Sequence, residues 1–332
     1  MDRYARQVAL IGAEAQSRIR AARVAVVGAG GLGSPALLYL AAAGIGGITL
    51  IDDDSIDLTN LHRQIVHSTA DVGRAKVDSA AERLAGLNPE VPVDVVRERL
   101  TWPDAVDVLR GADVVLDGSD NFATRHTVSH ACARLGVPHV WGSILGFEAQ
   151  LSVFWAGRGP VYEDLYPAPP APGSVPSCAQ AGVLGPLVGV VGSAMAVEAL
   201  KLVTGMGEPL VGRIGYYDSL AGTWEYVPLV ADPAVAERVR NDDPPGAVPE
   251  VSEIPPGAPV LDVREPEEFA AFHLPGSVNV PLGQIIAGET RAEPAPGTVV
   301  VCASGVRSAE AVAVLQARGV TGIASLRGGM AR

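Results

Sequence analysis

Cysteine is scarce in this chain: Cys132, Cys178 and Cys302 are the only three in 332 residues, and they stand far apart. None falls in a Cys-x-x-Cys pair, which excludes a disulfide framework and argues against a structural zinc site. Basic residues are also in deficit, with 25 Lys and Arg against 37 Asp and Glu and a net charge of -12. A nucleic-acid or anionic-membrane surface needs a basic patch, so neither partner is expected. No run of about 18 apolar residues free of glycine and polar breaks reads as a membrane span. The opening Met1-Asp2-Arg3-Tyr4-Ala5-Arg6 lacks the apolar centre of a signal peptide. What remains is a cytoplasmic globular protein, with 48% hydrophobic residues for a core and a length that suggests two domains.

Organisation follows from periodicity. Residues 23–28 form a short β-branched run that ends in glycines, and an Ala- and Leu-rich stretch follows to Ala43, which reads as strand, tight turn, helix. Strands are expected at 48–52, 93–96, 114–116 and 139–141, with helices at 75–87, 103–109 and 122–135. Such alternation predicts an α/β fold, Rossmann-like, with a mainly parallel sheet and helices on both faces. After Gln150 the pattern breaks into a long proline-rich loop, then a helix at about 185–203 and strands near 211–217 and 223–227. Residues 1–240 are thus expected to form the first domain, 241–258 a Pro-rich linker, and 259–332 a small α/β domain.

The turn Gly28-Ala29-Gly30-Gly31-Leu32-Gly33 lies between the first strand and its helix. Glycines there permit a phosphate to approach the free N–H groups of the helix start. Asp52 ends the next strand and is placed to take ribose hydroxyls. To this point a dinucleotide oxidoreductase fits as well as an ATP enzyme.

Further residues separate the two. Arg6, Arg63 and Lys76 supply the cations that a triphosphate requires, and Asp120 would suit magnesium, which prefers one or two carboxylates plus phosphate oxygens. Taken in order, Arg3-Tyr4-x-Arg6-Gln7, the glycine turn, Asp52-x-Asp54, Asn60-Leu61-x-Arg63-Gln64, Lys76, Asp120-Asn121 and Pro176-Ser177-Cys178-Ala179 resemble the ubiquitin-activating superfamily. The resemblance is closest to bacterial molybdopterin-synthase and thiamine sulfur-carrier adenylyltransferases and spans residues 3–228. It implies a homodimer with two ATP sites that adenylates the C-terminal glycine of a ubiquitin-like sulfur carrier ending in Gly-Gly. By the same resemblance Gly31, Asp52, Thr59, Asn60, Leu61, His62, Arg63, Lys76, Gly118, Ser119, Asp120 and Asn121 hold the nucleotide, and Arg6 reaches the partner's ATP; Gly28, Gly30, Gly33 and Asp54 are cofactor-binding candidates beside them. Zinc-binding members carry two Cys-x-x-Cys pairs. Here the first region reads Val161-Tyr162-Glu163-Asp164-Leu165 and residues 228–245 hold no cysteine, so zinc is expected to be absent.

Two cysteines remain for chemistry. Cys178 ends the proline-rich loop, and the resemblance implies acyl or persulfide chemistry for it. Cys302 opens Cys302-Ala303-Ser304-Gly305-Val306-Arg307-Ser308 between a strand and a helix, where loop N–H groups, the helix start and Arg307 favour a thiolate or persulfide anion. With Leu261-Asp262-Val263-Arg264-Glu265, His273-Leu274-Pro275-Gly276 and Leu326-Arg327-Gly328-Gly329, this order resembles the single-domain rhodanese family over residues 248–332. The resemblance places the persulfide on Cys302 and implies a further helix after Gly329, so a shortened domain is expected. A cysteine desulfurase or thiosulfate would be the sulfur donor. Two rivals stand beside this reading: an NAD-dependent oxidoreductase, and a non-catalytic carrier-binding scaffold.

Overall fold

The computed structural model describes residues 3–102, 104–170, 182–245, 248–289, 294–303 and 305–330. Cys178 and Ser304 lie outside the described residues. The chain divides into two compact units, Met1–Pro245 and Gly246–Arg332.

The first unit is built on strand β1, Arg23–Val27, whose alternate side chains serve two cores. Val24 and Val26 join Leu37, Leu40 and Met195 on one face, while Ala25 and Val27 join Leu109, Val128 and Cys132 on the other. A strand buried on both faces must be apolar throughout, and β1 has only its first residue exposed. Around it lie β2 (Gly47–Ile51), β3 (Val93–Val96), β4 (Val114–Asp117) and β5 (His139–Leu145), all parallel. Then come β6 (Glu148–Phe154), β7 (Arg213–Asp218) and β8 (Thr223–Pro228), all antiparallel. The order is β3-β2-β1-β4-β5-β6-β7-β8. The order reverses between β1 and β4, so the loops that leave these two strands part and open a crevice at their carboxyl ends.

Helices α1 (Ala5–Ala21), α2 (Gly33–Ala43), α3 (Lys76–Leu87), α4 (Ala105–Val108), α5 (Phe122–Leu135), α6 (Gly185–Thr204) and α7 (Pro233–Asn241) complete this unit among the described residues. Sequence periodicity misses α1, which Gly12 interrupts at φ 82°, and it misses α7. Helix α6 has the length and apolar composition to cross a membrane, yet half of its apolar window is buried. It packs Leu187, Val188, Val191 and Met195 into the same core as α2, as a central helix of an α/β fold does.

The second unit has five parallel strands in the order β11-β10-β12-β13-β9. They are β9 (Glu250–Val251), β10 (Val260–Asp262), β11 (Val278–Asn279), β12 (Val299–Val301) and β13 (Ala324–Leu326). Helices α8 (Pro266–Ala271), α9 (Leu282–Ala287) and α10 (Val306–Ala317) flank the sheet. The expected linker over 241–258 needs correction. Glu250 and Val251 pair with Ser325 and Leu326, so the second unit begins well before Pro259 despite its proline-rich start. Proline composition marked a boundary there, but pairing with a strand about seventy residues downstream decides where the fold begins.

Candidate functional site

A cleft of about 1000 Å³, open to solvent, sits at the strand-order reversal. Its floor is the glycine turn. A Cβ at Gly33 would lie 1.8 Å from the Gly28 carbonyl oxygen, so the turn closes onto α2 only without a side chain at that position. Asp52, just past β2, braces the turn: its Oδ2 accepts from Ala29 N at 2.7 Å and its Oδ1 from Asp54 N at 2.8 Å. Burial raises the Asp52 carboxyl above the usual carboxylate range, against the pull of Lys76. Lys76, at the first turn of α3, is almost wholly buried, and its ammonium reaches Asp54 at 2.8 Å.

Asp52, Asp54, Arg63, Lys76, Gly28, Gly30, Gly31, Gly118, Ser119, Asp120 and Asn121 all line this one cleft. Gly33 lies beneath it as packing. Thr59, Asn60, Leu61 and His62 belong to the short 3-10 segment Leu58–Asn60 and the turn after it, outside the cleft lining. Asp57 caps that segment, and Thr59 O accepts from Arg63 Nη1 at 3.1 Å, so these residues hold Arg63 in place. Arg6 is exposed on α1 and does not line the cleft of its own chain.

Two lining atoms point to a ligand. Ser119 Oγ and Gln64 Oε1 are buried, and neither has a hydrogen-bond partner. Buried polar atoms are ordinarily paired, so a polar group entering the cleft would satisfy them. The carboxylates of Asp52, Asp53 and Asp54 lie close together, but Asp53 pairs with Arg99 and Asp54 with Lys76. Asp120 lines the cleft with an exposed carboxylate. Sequence reasoning passed over Arg99, Ser143 and Arg125, all of which line the cleft. Arg125 had a signal: it is the helix residue four after Asn121, on the face that follows the Asp120-Asn121 pair.

The wall at the start of the long loop holds no thiol. Glu163 accepts from Ser129 Oγ at 2.7 Å and pairs with His126 at 2.8 Å. Asp164 accepts from the backbone N–H groups of Val161 and Asp232. Val161 packs on Ala133 and Val239. Both carboxylates are satisfied within the protein.

In the second unit Cys302 directly follows β12 and is fully buried. Its sulfur accepts from Gly305 N at 3.1 Å and Ser308 N at 3.4 Å, and Ser308 Oγ lies 3.5 Å away. A Cβ at Gly329 would meet the Ala303 carbonyl oxygen at 2.4 Å, so the Gly328-Gly329 turn seats directly against the loop. The Cys302 sulfur acts on the charge of Arg307, but the nearest partner of Arg307 is a carboxylate. Its guanidinium is held by Glu268 in a two-pronged pair at 2.6 and 2.7 Å rather than by the sulfur. The planar fork matches a carboxylate better than a single sulfur atom.

That pair gives a pH test. Arg307 pulls the Glu268 carboxyl from 4.5 down to about 2. A depressed carboxylate adds stability above its unfolded value and loses it as pH falls through its folded value. The melting temperature of the wild type should therefore exceed that of Glu268→Gln at pH 6, and the gap should close between pH 4.5 and about 2. A gap independent of pH would show that the pair contributes nothing through charge.

Residues 4–237 match the ThiF family, and residues 249–332 match the rhodanese-like domain. A probable adenylyltransferase/sulfurtransferase of Mycobacterium tuberculosis, MoeZ, is 42% identical across 99% of this chain and 91% of its own length. A sulfur carrier protein adenylyltransferase of Thermus thermophilus is 47% identical across 74% of this chain and 92% of its own. Among solved structures, Escherichia coli MccB with MccA-N7isoASN superposes with a TM-score of 0.63 at 22% identity, covering 70% of this chain and 74% of that one. That last likeness speaks to the fold alone.

Proposed function

The chain belongs to the ThiF family, and from that premise we propose how its residues carry out ATP-dependent adenylation of a ubiquitin-like sulfur carrier and the sulfur transfer that follows. It is an adenylyltransferase and sulfurtransferase. The observation that carries the residue assignment is the convergence of the glycine turn, Asp52, Lys76 and Asp120 on one cleft at the strand-order reversal.

The carrier's C-terminal carboxylate is already ionised at neutral pH, so no general base is needed. The protein has to align two anions and offset their charge. Lys76 and Arg63 supply charge within the cleft, and Arg6 would supply it to the partner subunit of a homodimer. Asp120 has an exposed carboxylate in the cleft that would hold magnesium, an ion that neutralises phosphate oxygens when bound. The carboxylate oxygen bonds to the α-phosphorus as pyrophosphate leaves, giving an acyl-adenylate.

Sulfur enters at Cys302 as a persulfide drawn from a cysteine desulfurase or thiosulfate. Its outer sulfur attacks the acyl carbon and AMP departs, leaving an acyl disulfide between carrier and Cys302. A second thiolate, for which Cys178 is our candidate, attacks the Cys302 sulfur and releases the carrier as a thiocarboxylate. The disulfide so formed is opened by a thiol reductant. Zinc has no part in this scheme, and the chain acts in the cytoplasm.

The experiment is ATP–pyrophosphate exchange with the full chain, with and without a small Gly-Gly-ending carrier. Exchange that depends on the carrier is expected. Exchange equal in its absence, or none at all, overturns the reading.

A further inference from the structure

We propose that Arg125 is a positioning residue for adenylation, one that fixes the turn carrying Asp120 and thereby the presentation of that carboxylate to the nucleotide cleft. The proposal rests on the adenylation reading.

The turn over residues 118–121 leaves β4 with few supports. Gly118 N donates to Val27 O, Ser119 N to Asp117 Oδ1 at 2.9 Å, and Asn121 Oδ1 caps α5 by accepting from Thr124 N at 2.9 Å. The Ser119 carbonyl is held from a different direction. Arg125 reaches it with Nε at 3.3 Å and Nη2 at 3.1 Å, and Nη2 also meets Ser143 Oγ at 3.3 Å. The carbonyl of Ser119 and the N–H of Asp120 belong to one planar peptide unit. Two donors on that oxygen therefore set the plane from which Asp120 departs.

The guanidinium is itself immobilised. It lies 5.2 Å from the centre of the Phe122 ring and 5.7 Å from that of Trp141, and the residue is only 7% exposed. Its charge acts on the buried Asp117 carboxylate and on the Tyr162 hydroxyl. A buried arginine is costly even with the Asp117 carboxylate within reach of its charge, and a neutral side chain would be the less expensive way to satisfy one carbonyl. The fork does what a neutral group or a lysine does not: it grips one oxygen with two N–H groups and leaves a positive charge in the wall of a cleft built for an anion.

Full-length protein titrated calorimetrically with ATP, with and without Mg2+, tests this. For the wild type, Mg2+ should tighten ATP binding by about tenfold or more. Arg125→Ala should lose that increment by a larger factor than it loses Mg2+-free ATP affinity, to which its charge in the cleft wall also contributes; Arg125→Lys should regain only part of the increment, having charge without the fork. Asp120→Asn should lose the same increment, and in that increment the double variant should be no worse than Asp120→Asn, because the two residues act through one turn. Melting temperatures near wild type for each variant keep the comparison clean. A full Mg2+ increment in Arg125→Ala, full recovery by Arg125→Lys, or additive losses in the double variant would overturn the proposal. A wild type that binds no ATP overturns the adenylation reading instead.

Discussion

Cys302→Ser should abolish persulfide formation and thiocarboxylate production outright, while carrier-dependent ATP–pyrophosphate exchange stays within about twofold of wild type, as expected for sites without shared partners. The sulfur sits at 0% exposure under two backbone N–H donors. Those donors suit an anion, and thiolate rather than alcohol is the form that takes up sulfur. A persulfide extends the side chain by about 2 Å, which carries the outer sulfur beyond the buried position of Sγ. Serine keeps the loop, because Ser308 Oγ still bonds Gly305 O and Ser325, and the loop geometry does not rest on the sulfur alone. Intact-mass measurement after incubation with a sulfur donor gives the answer: wild type gains one sulfur atom and the serine variant gains none. Thiocarboxylate formation by Cys302→Ser at the wild-type rate would remove Cys302 from the pathway.

The two cores differ in how much of them was visible beforehand. In β1 the run Val24–Val27 could be read directly, because a strand buried on both faces has no polar member to confuse the pattern. Strand β6 carried its own signal in Glu148, Gln150 and Ser152 alternating with Ala149, Leu151 and Val153, yet the proline-rich stretch that follows drew the boundary too early. Two-residue strands such as β9 and β11 have no local period. The partner of β9, β13, lies far away in sequence, that of β11 is β10 across α8, and only the assembled sheet defines them. The site divides in the same way. Gly28 to Gly33, Asp52, Lys76 and Asp120 declare themselves by chemistry and order. Arg125 reads as an ordinary helix charge until Trp141 arrives from β5 to bury it.

Lys76→Met should lower carrier-dependent exchange by about 10²- to 10³-fold, the usual cost of removing one preorganised group that meets developing charge. Methionine matches the length of the lysine stem, and its burial in α3 should preserve packing. The loss of charge acts twice. It removes a cation from the cleft, and it frees Asp52, whose carboxyl burial already raises and Lys76 holds down. In the variant Asp52 should therefore take up a proton at a higher pH than in the wild type. A protonated Asp52 is a poorer acceptor for Ala29 N and for ribose hydroxyls, so ATP binding by Lys76→Met should strengthen as pH rises through the Asp52 titration. The wild type should show that dependence at lower pH. Exchange rates and ATP affinities measured across pH separate the two effects. A variant weakened equally at every pH has lost the cation alone, and one with wild-type exchange would show that Lys76 serves only to hold Asp54.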